Sequence, residues 1–234
     1  MVRESFTRSS FMVKKQYVHK VARLVQVDES GAGSFYDRIA KLYDFSFKFN
    51  GYSRSLEGYL RKHLPHLGPG ARILDAGCGT GLMTLALVKT IQSQVKITAV
   101  DLSHSSLATA RKAAGGKRCR DHHVSFTQAN MLALPFADHS FDMIVTSGAL
   151  EYVSLQDGLG EIARVIAPGG YLLHLPVRPS PASRVLEYLF QFKVHSPREV
   201  ARQTNRFFHV VTYHKFPPLE PISWTKSAIL SQKI

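Results

Sequence analysis

The stretch that most constrains this chain is Ile73-Leu74-Asp75-Ala76-Gly77-Cys78-Gly79-Thr80-Gly81-Leu82. Apolar residues run into an acidic one, and glycines then fall at alternate positions. Met83 to Val88 continues as a helical stretch. Together they read as a buried strand, a tight turn and a helix N-terminus. Glycine lets the backbone turn sharply and approach a ligand closely. The first N–H groups of a helix lack intrahelical partners and favour a negatively charged group. A plain strand-to-helix turn uses the same residues. The dinucleotide fingerprint places its glycines one apart and then two apart. Gly77 and Gly79 fit, but Leu82 holds the third position and Gly81 comes one place early. A nicotinamide or flavin dinucleotide is therefore disfavoured, and Cys78 inside the loop reads as a small filler.

Beyond this loop, strands and helices alternate. Apolar patterning predicts strands near 72–76, 95–101, 123–128, 142–147 and 170–176, and helices near 81–91, 103–114 and 157–166. That order implies a doubly wound α/β fold with a mostly parallel sheet and helices on both faces. Upstream, a helix over 53–63 ends before Pro65, and its basic last turn, Arg61-Lys62-His63, complements the helix dipole. Downstream, an apolar helix-like stretch covers 185–192, and Ser196-Pro197-Arg198-Glu199 reads as a helix start. Ligands of such sheets bind beyond the C-terminal ends of the strands, where Asp75, Asp101, Asn130 and Ser147 would lie. Asp101 ends an apolar strand about 20 residues past the glycine loop, where nucleotide-binding folds place a ribose-binding acid. Its carboxylate can accept from both ribose hydroxyls. The competing role is local, capping the next helix, but Ser103 already suits that position.

The chain has 234 residues, enough for one sizeable core with an N-terminal extension. Thirty Lys and Arg against 17 Asp and Glu leave a net charge of +13. Such a balance points to an anionic partner, a membrane surface or nucleic acid, or else to a solvated basic surface. Residues 1–33 read as a basic amphipathic arm and 34–234 as the main domain. In the arm, Arg3, Arg8, Lys14, Lys15, Lys20 and Arg23 alternate with apolar residues, and Val18, Val21, Leu24 and Val25 form one stripe. Such a segment can lie on an anionic membrane, pack on the domain, or form a leader without structure. Lys117-Arg118-Cys119-Arg120 reads as a solvated loop rather than a nucleic-acid groove. Two cysteines describe no disulfide framework, which fits a cytoplasmic setting. No apolar run approaches the ~18 residues of a membrane span. The histidines, His122-His123 included, offer no zinc spacing, so no metal is expected.

Three further stretches complete a pattern: Ala129 to Phe136, Phe141 to Val153, and Glu161 to Tyr171. With the glycine loop and Asp101, they resemble the ordered motifs of the class I S-adenosylmethionine-dependent methyltransferases, over roughly residues 71–176. The resemblance implies a Rossmann-like, mostly parallel seven-stranded sheet with N-terminal helices. It also pairs stretches near 207–213 and 224–230 as an antiparallel edge hairpin. It implies that S-adenosyl-L-methionine is the cofactor and that the reaction is methyl transfer by in-line displacement. Gly77, Gly79 and Gly81 would hold the methionine portion, and Asp75 would fix the loop and the amino group. Asp101 would bind the ribose, with Leu102 beside the adenine. Asn130 would accept from the adenine amino group, where relatives often have aspartate, and Met131 would pack on the ring. Ser147 completes the cofactor edge. Leu150-Glu151-Tyr152 departs from the Leu-Glu-His of many relatives, so no histidine base stands there and the catalytic residue is unassigned. Tyr36, Tyr43, Tyr152 and His174 are candidates for the acceptor pocket. The tyrosines read equally as core packing, and His174 as a histidine satisfied within a strand. Tyr36 to Asp44 is similar to the opening of quinone C-methyltransferases and bacterial phospholipid N-methyltransferases. A small-molecule or lipid acceptor follows, with peripheral attachment to an anionic membrane as an option. The rivals are an RNA or protein methyltransferase using the positive charge, and a cofactor-binding or membrane-associated module without turnover.

Overall fold

Successive strand residues point to opposite faces, and this chain fills both. In β1 (Arg72–Ala76), Ile73 joins one core layer while Leu74 and Ala76 join the other. β4 (Phe141–Ser147) sets Met143 and Val145 against Ile144. β5 (Ile166–Leu175) sets Leu173 and Leu175 against Leu172. Strands buried on both faces read as near-continuous apolar runs. These details come from a computed structural model, which describes residues 51–115, 119 and 121–234. The arm at 1–33, Tyr36, Tyr43, Lys117, Arg118 and Arg120 lie outside the described residues.

The remaining strands are β2 (Lys96–Asp101), β3 (Val124–Gln128), β6 (Phe208–His214) and β7 (Ala228–Lys233). Seven strands form one sheet in the order β3-β2-β1-β4-β5-β7-β6. All pairs are parallel except those of β7, which runs antiparallel to β5 and β6. The expected edge hairpin is therefore present, with its strands at Phe208–His214 and Ala228–Lys233. The second begins later than predicted because Pro221–Trp224 forms a 3-10 turn.

α1 (Tyr52–His63) and α2 (Leu82–Thr90) cover one face, burying Leu56, Leu60 and Leu87. α4 (Leu155–Val165) and α6 (Pro197–Thr204) cover the other with Leu159, Ile162 and Val200. Between β2 and β3 lies α3 (His104–Ala113), whose Leu107 packs on Ala99 and Cys78. The filler role read for Cys78 matches that packing. Caps follow the sequence signals. Ser103 accepts from Ser106 N at 3.2 Å, and Ser196 accepts from Glu199 N at 3.2 Å.

Two elements differ from expectation. The strand predicted from 170 begins at Ile166, which pairs with Phe141 before a bulge brings Tyr171 opposite Met143. Ile166 is fully buried, so packing draws the chain into the sheet at once. The apolar stretch at 185–192 belongs to α5 (Pro181–Phe190), started earlier by a capping box between Ser180 and Ser183. Ser183 is the residue that α5 buries, while Tyr188 is 85% exposed.

Arg164 explains the fifth sequence motif. Its guanidinium pairs with Glu161 and Asp138 at 2.7 Å and donates to the carbonyls of Leu134 and Phe136. The segment between β3 and β4, which carries Asn130 and Met131, is thereby clamped to α4.

Candidate active site

The strand order reverses between β1 and β4, and ligands of such sheets bind beyond the strand ends in the space at that switch point. Two turns meet in it. Gly77 N and Cys78 N both donate to Val100 O at 2.8 Å, tying the glycine loop to the end of β2. Gly77 has φ +75, and a Cβ there would overlap the Cβ of Ala149, just past β4. Gly79, at φ +53, is different: an added Cβ meets nothing within 4 Å. The loop thus leaves a cradle beside Gly79, at the N-terminus of α2.

Asp101 faces this cradle. Its Oδ2 accepts from Gly79 N and its Oδ1 from Ser103 N, both at 2.8 Å. The local role weighed for this residue is therefore present. The carboxylate braces the loop and the start of α3, and each oxygen keeps a further acceptor position.

Asp75 is buried beneath the loop. Its Oδ2 accepts from the Thr84 hydroxyl, which joins the end of β1 to α2. Its Oδ1 is buried without a partner among the described residues. Burial pushes this carboxyl up to about 7 against the Thr84 hydrogen bond, and the Asp101 charge adds to the rise. The sign for stability follows. Between 3.8 and about 7 the folded chain holds this proton more tightly than the unfolded chain does. The contribution of Asp75 to ligand-free stability therefore falls as pH rises through that window and levels off above it, while the depressed pKa of His174 contributes in the opposite sense between about 4 and 6.5. Urea unfolding of the wild type and Asp75→Asn at several pH values isolates the Asp75 part as the difference between the two proteins, which is expected to shrink as pH rises to about 7.

Other predicted residues have more specific placements. Asn130 Oδ1 accepts from Leu132 N at 2.9 Å, so the oxygen expected to face an adenine is already shared with its own loop. Met131 sits in the α4-side core. Leu102 O accepts from Gln128 Nε2 at 2.8 Å. At the start of α1, burial pushes the Tyr52 hydroxyl up, and the Ser147 side chain beside it opposes the rise. Tyr152 is 43% exposed and its ring lies 5.6 Å from that of Phe192. Burial pushes its hydroxyl up to about 12, with the Glu151 and Asp101 charges adding to the rise.

His174 is not the satisfied strand histidine that one reading expected. It is 2% exposed, and both ring nitrogens are buried without partners among the described residues. Burial lowers its pKa to about 4, so the imidazole is neutral at pH 7. Nearby titratable groups are Glu151, Lys226 and His195. The sequence reading missed Tyr52, Thr84 and Lys226, and named Glu151 only as part of a motif that departs at Tyr152. A lysine two residues before the apolar run Ala228-Ile229-Leu230 was the one available hint.

This edge fits a nucleoside that carries a charged amino-acid tail. Asp101 has acceptor positions to spare for ribose hydroxyls, the space beside Gly79 is open, and Asp75 Oδ1 lacks a partner. Known proteins agree with that chemistry. A family model described as a methyltransferase domain matches residues 73–170. The ubiquinone/menaquinone biosynthesis C-methyltransferase UbiE of Geotalea daltonii is 31% identical over 163 residues, covering 67% of each chain. This chain belongs to the class I S-adenosylmethionine-dependent methyltransferases. A demethylmenaquinone methyltransferase of Corynebacterium glutamicum is 29% identical over 88% of this chain and 84% of that one. Alignments with three other demethylmenaquinone methyltransferases span 49%, 62% and 56% of those proteins. Geranyl diphosphate C-methyltransferase from Streptomyces coelicolor shares the fold of this methyltransferase. Its TM-score is 0.64 at 21% identity, over 89% of this chain and 88% of that one.

Proposed function

We propose that this methyltransferase moves the methyl group of S-adenosylmethionine to a small hydroxylated aromatic acceptor of quinone type, at a ring carbon. The observation that carries the reading is the Gly79–Asp101 bond at the switch point. It sits in a chain with a relative, aligned over two thirds of it, that is named for quinone C-methylation. Bound at this edge, the cofactor would supply a methyl group already activated on a sulfonium sulfur. The chain's own residues then bind, orient and exclude water. Asp101 would hold the ribose hydroxyls, and the turn of Gly77, Gly79 and Gly81 would take the methionine half. Asp75 would stiffen that turn through Thr84. Leu102, Asn130, Met131 and Ser147 would frame the adenine and the sulfonium side. Tyr152, with Phe192 against its ring, gives the acceptor an apolar wall. His174, kept neutral by burial, can accept a proton or a hydrogen bond beside it.

The division into an arm at 1–33 and a domain at 34–234 belongs to the same proposal, with the arm holding the chain to an anionic membrane where a lipid-tailed acceptor resides. Among the described residues no helix is long and apolar enough to cross a membrane. The test is one assay with methyl-labelled cofactor and three acceptors: a prenylated hydroquinone in anionic vesicles, a short soluble hydroquinone, and total RNA. Label on a ring carbon of the hydroquinones, with the vesicle-borne one methylated faster, is the expected result. Label confined to RNA, or to a phenolic oxygen, overturns the reading.

A further inference from the structure

A buried lysine is uncommon unless something pairs with it. Lys226 is 5% exposed, and among the described residues it forms no ion pair. Its backbone bridges to Val177, just past β5, so it starts from the sheet edge that carries Asp101 and Ser147. Its ammonium lies against Gly148, where an added Cβ would stand 2.5 Å from Nζ. Gly148 adjoins Ala149, the residue packed on Gly77. The lysine and the glycine loop therefore flank the same turn.

Unmet polar groups surround it. Glu151 is 4% exposed; its Oε1 accepts from Val177 N, and its Oε2 is buried without a partner among the described residues. His174 Nδ1 and Nε2 and His195 Nε2 are likewise unpaired there. Buried polar atoms without partners are costly, and a cluster of them beside a ligand crevice fits a group that arrives with the ligand.

We propose that Lys226 orients the acceptor: its ammonium donates a hydrogen bond to the acceptor's hydroxyl oxygen, held as an oxyanion whose proton has passed to solvent before binding, next to the cofactor loop. This rests on the hydroxyaromatic acceptor proposed above. Burial draws the lysine pKa down, the Glu151 charge opposes that fall, and an oxyanion arriving at the ammonium adds to the opposition. A charge-assisted hydrogen bond in so dry a site is strong, and it stabilises the ionised hydroxyl that makes the neighbouring ring carbon nucleophilic.

The test is equilibrium binding to the full chain saturated with S-adenosylhomocysteine. The probes are 2-hydroxy-1,4-naphthoquinone, an anion at neutral pH, and 2-methyl-1,4-naphthoquinone, a neutral molecule of similar shape. The wild type is expected to prefer the anion. Lys226→Met is expected to bind the anion about tenfold more weakly or worse, with affinities for the neutral probe and for S-adenosylhomocysteine unchanged. Lys226→Arg should recover most of the loss. Should Lys226→Met fail to fold because Glu151 is left alone, the double variant Lys226→Met with Glu151→Gln removes both charges and is read the same way. A wild type without preference for the anion overturns the proposal. So does a lysine variant that keeps the preference, or one that loses cofactor-product affinity in equal measure. A wild type that prefers the anion yet methylates no hydroxyaromatic supports the anion site and removes the acceptor reading.

Discussion

Replacing Asp101 with alanine is expected to weaken binding of S-adenosylhomocysteine by ten- to a hundredfold while leaving the fold intact. A hydrogen bond to a charged group is worth ~1.5–3 kcal/mol, and each 1.4 kcal/mol is about a factor of ten. The carboxylate also holds Gly79 N and Ser103 N at 2.8 Å. Alanine therefore removes the ribose acceptor and releases the loop that must cradle the ligand. Both losses act on binding in the same direction. Asp101 sits half-buried at the sheet edge, where water can reach the released N–H groups. Stability should fall by only ~1 kcal/mol. Asp101→Asn keeps one acceptor oxygen and should fall between the two. Calorimetric titration measures all three proteins, and an unchanged affinity in a folded Asp101→Ala variant would sink the assignment.

Gly77→Ala is expected to cost the fold far more than Gly79→Ala. Both glycines have positive φ, +75 and +53, and an L side chain in that region costs roughly 1–2 kcal/mol. At Gly79 the added methyl group enters open space, so that cost stands alone. At Gly77 it overlaps the Cβ of Ala149, and overpacking adds ~1–3 kcal/mol. The sum, roughly 2–5 kcal/mol, is a large share of the stability of a single domain. Ala149→Gly in the Gly77→Ala background should relieve the overlap and leave the backbone strain. Urea unfolding of these three variants beside the wild type resolves the two parts. Equal losses for Gly77→Ala and Gly79→Ala would show that the loops do not meet as described.

Much of this was legible before any coordinates. β1, β2 and β4 are largely buried on both faces, so their residues read as near-continuous apolar runs. Ser103 and Ser196 announced their helices through cap chemistry. Asp101 was readable because strand end and spacing coincide. What the sequence could not convey is which distant side chains meet. Tyr52 reaches Ser147 only because α1 packs across the sheet. Lys226 reaches Gly148 only because β7 runs antiparallel beside β5. Neither pair has a local signal. The direction of a side chain is equally hidden: nothing in the Asn130 motif says that its oxygen turns back to Leu132 N. The helix-like stretch at 185–192 falls mostly within α5, and its Val185 and Tyr188 stay at the surface while Leu186, Leu189 and Phe190 are half-buried. Tyr36 and Tyr43 remain candidates from sequence, outside the described residues.

The central claim is that the edge formed by the glycine loop and Asp101 is a site for S-adenosylmethionine, not for a dinucleotide. Isothermal titration of the full chain with S-adenosylhomocysteine, and separately with NAD, tests it most directly. The account predicts saturable binding of S-adenosylhomocysteine at one site per chain and no binding of NAD. Binding of NAD with no response to S-adenosylhomocysteine would contradict it.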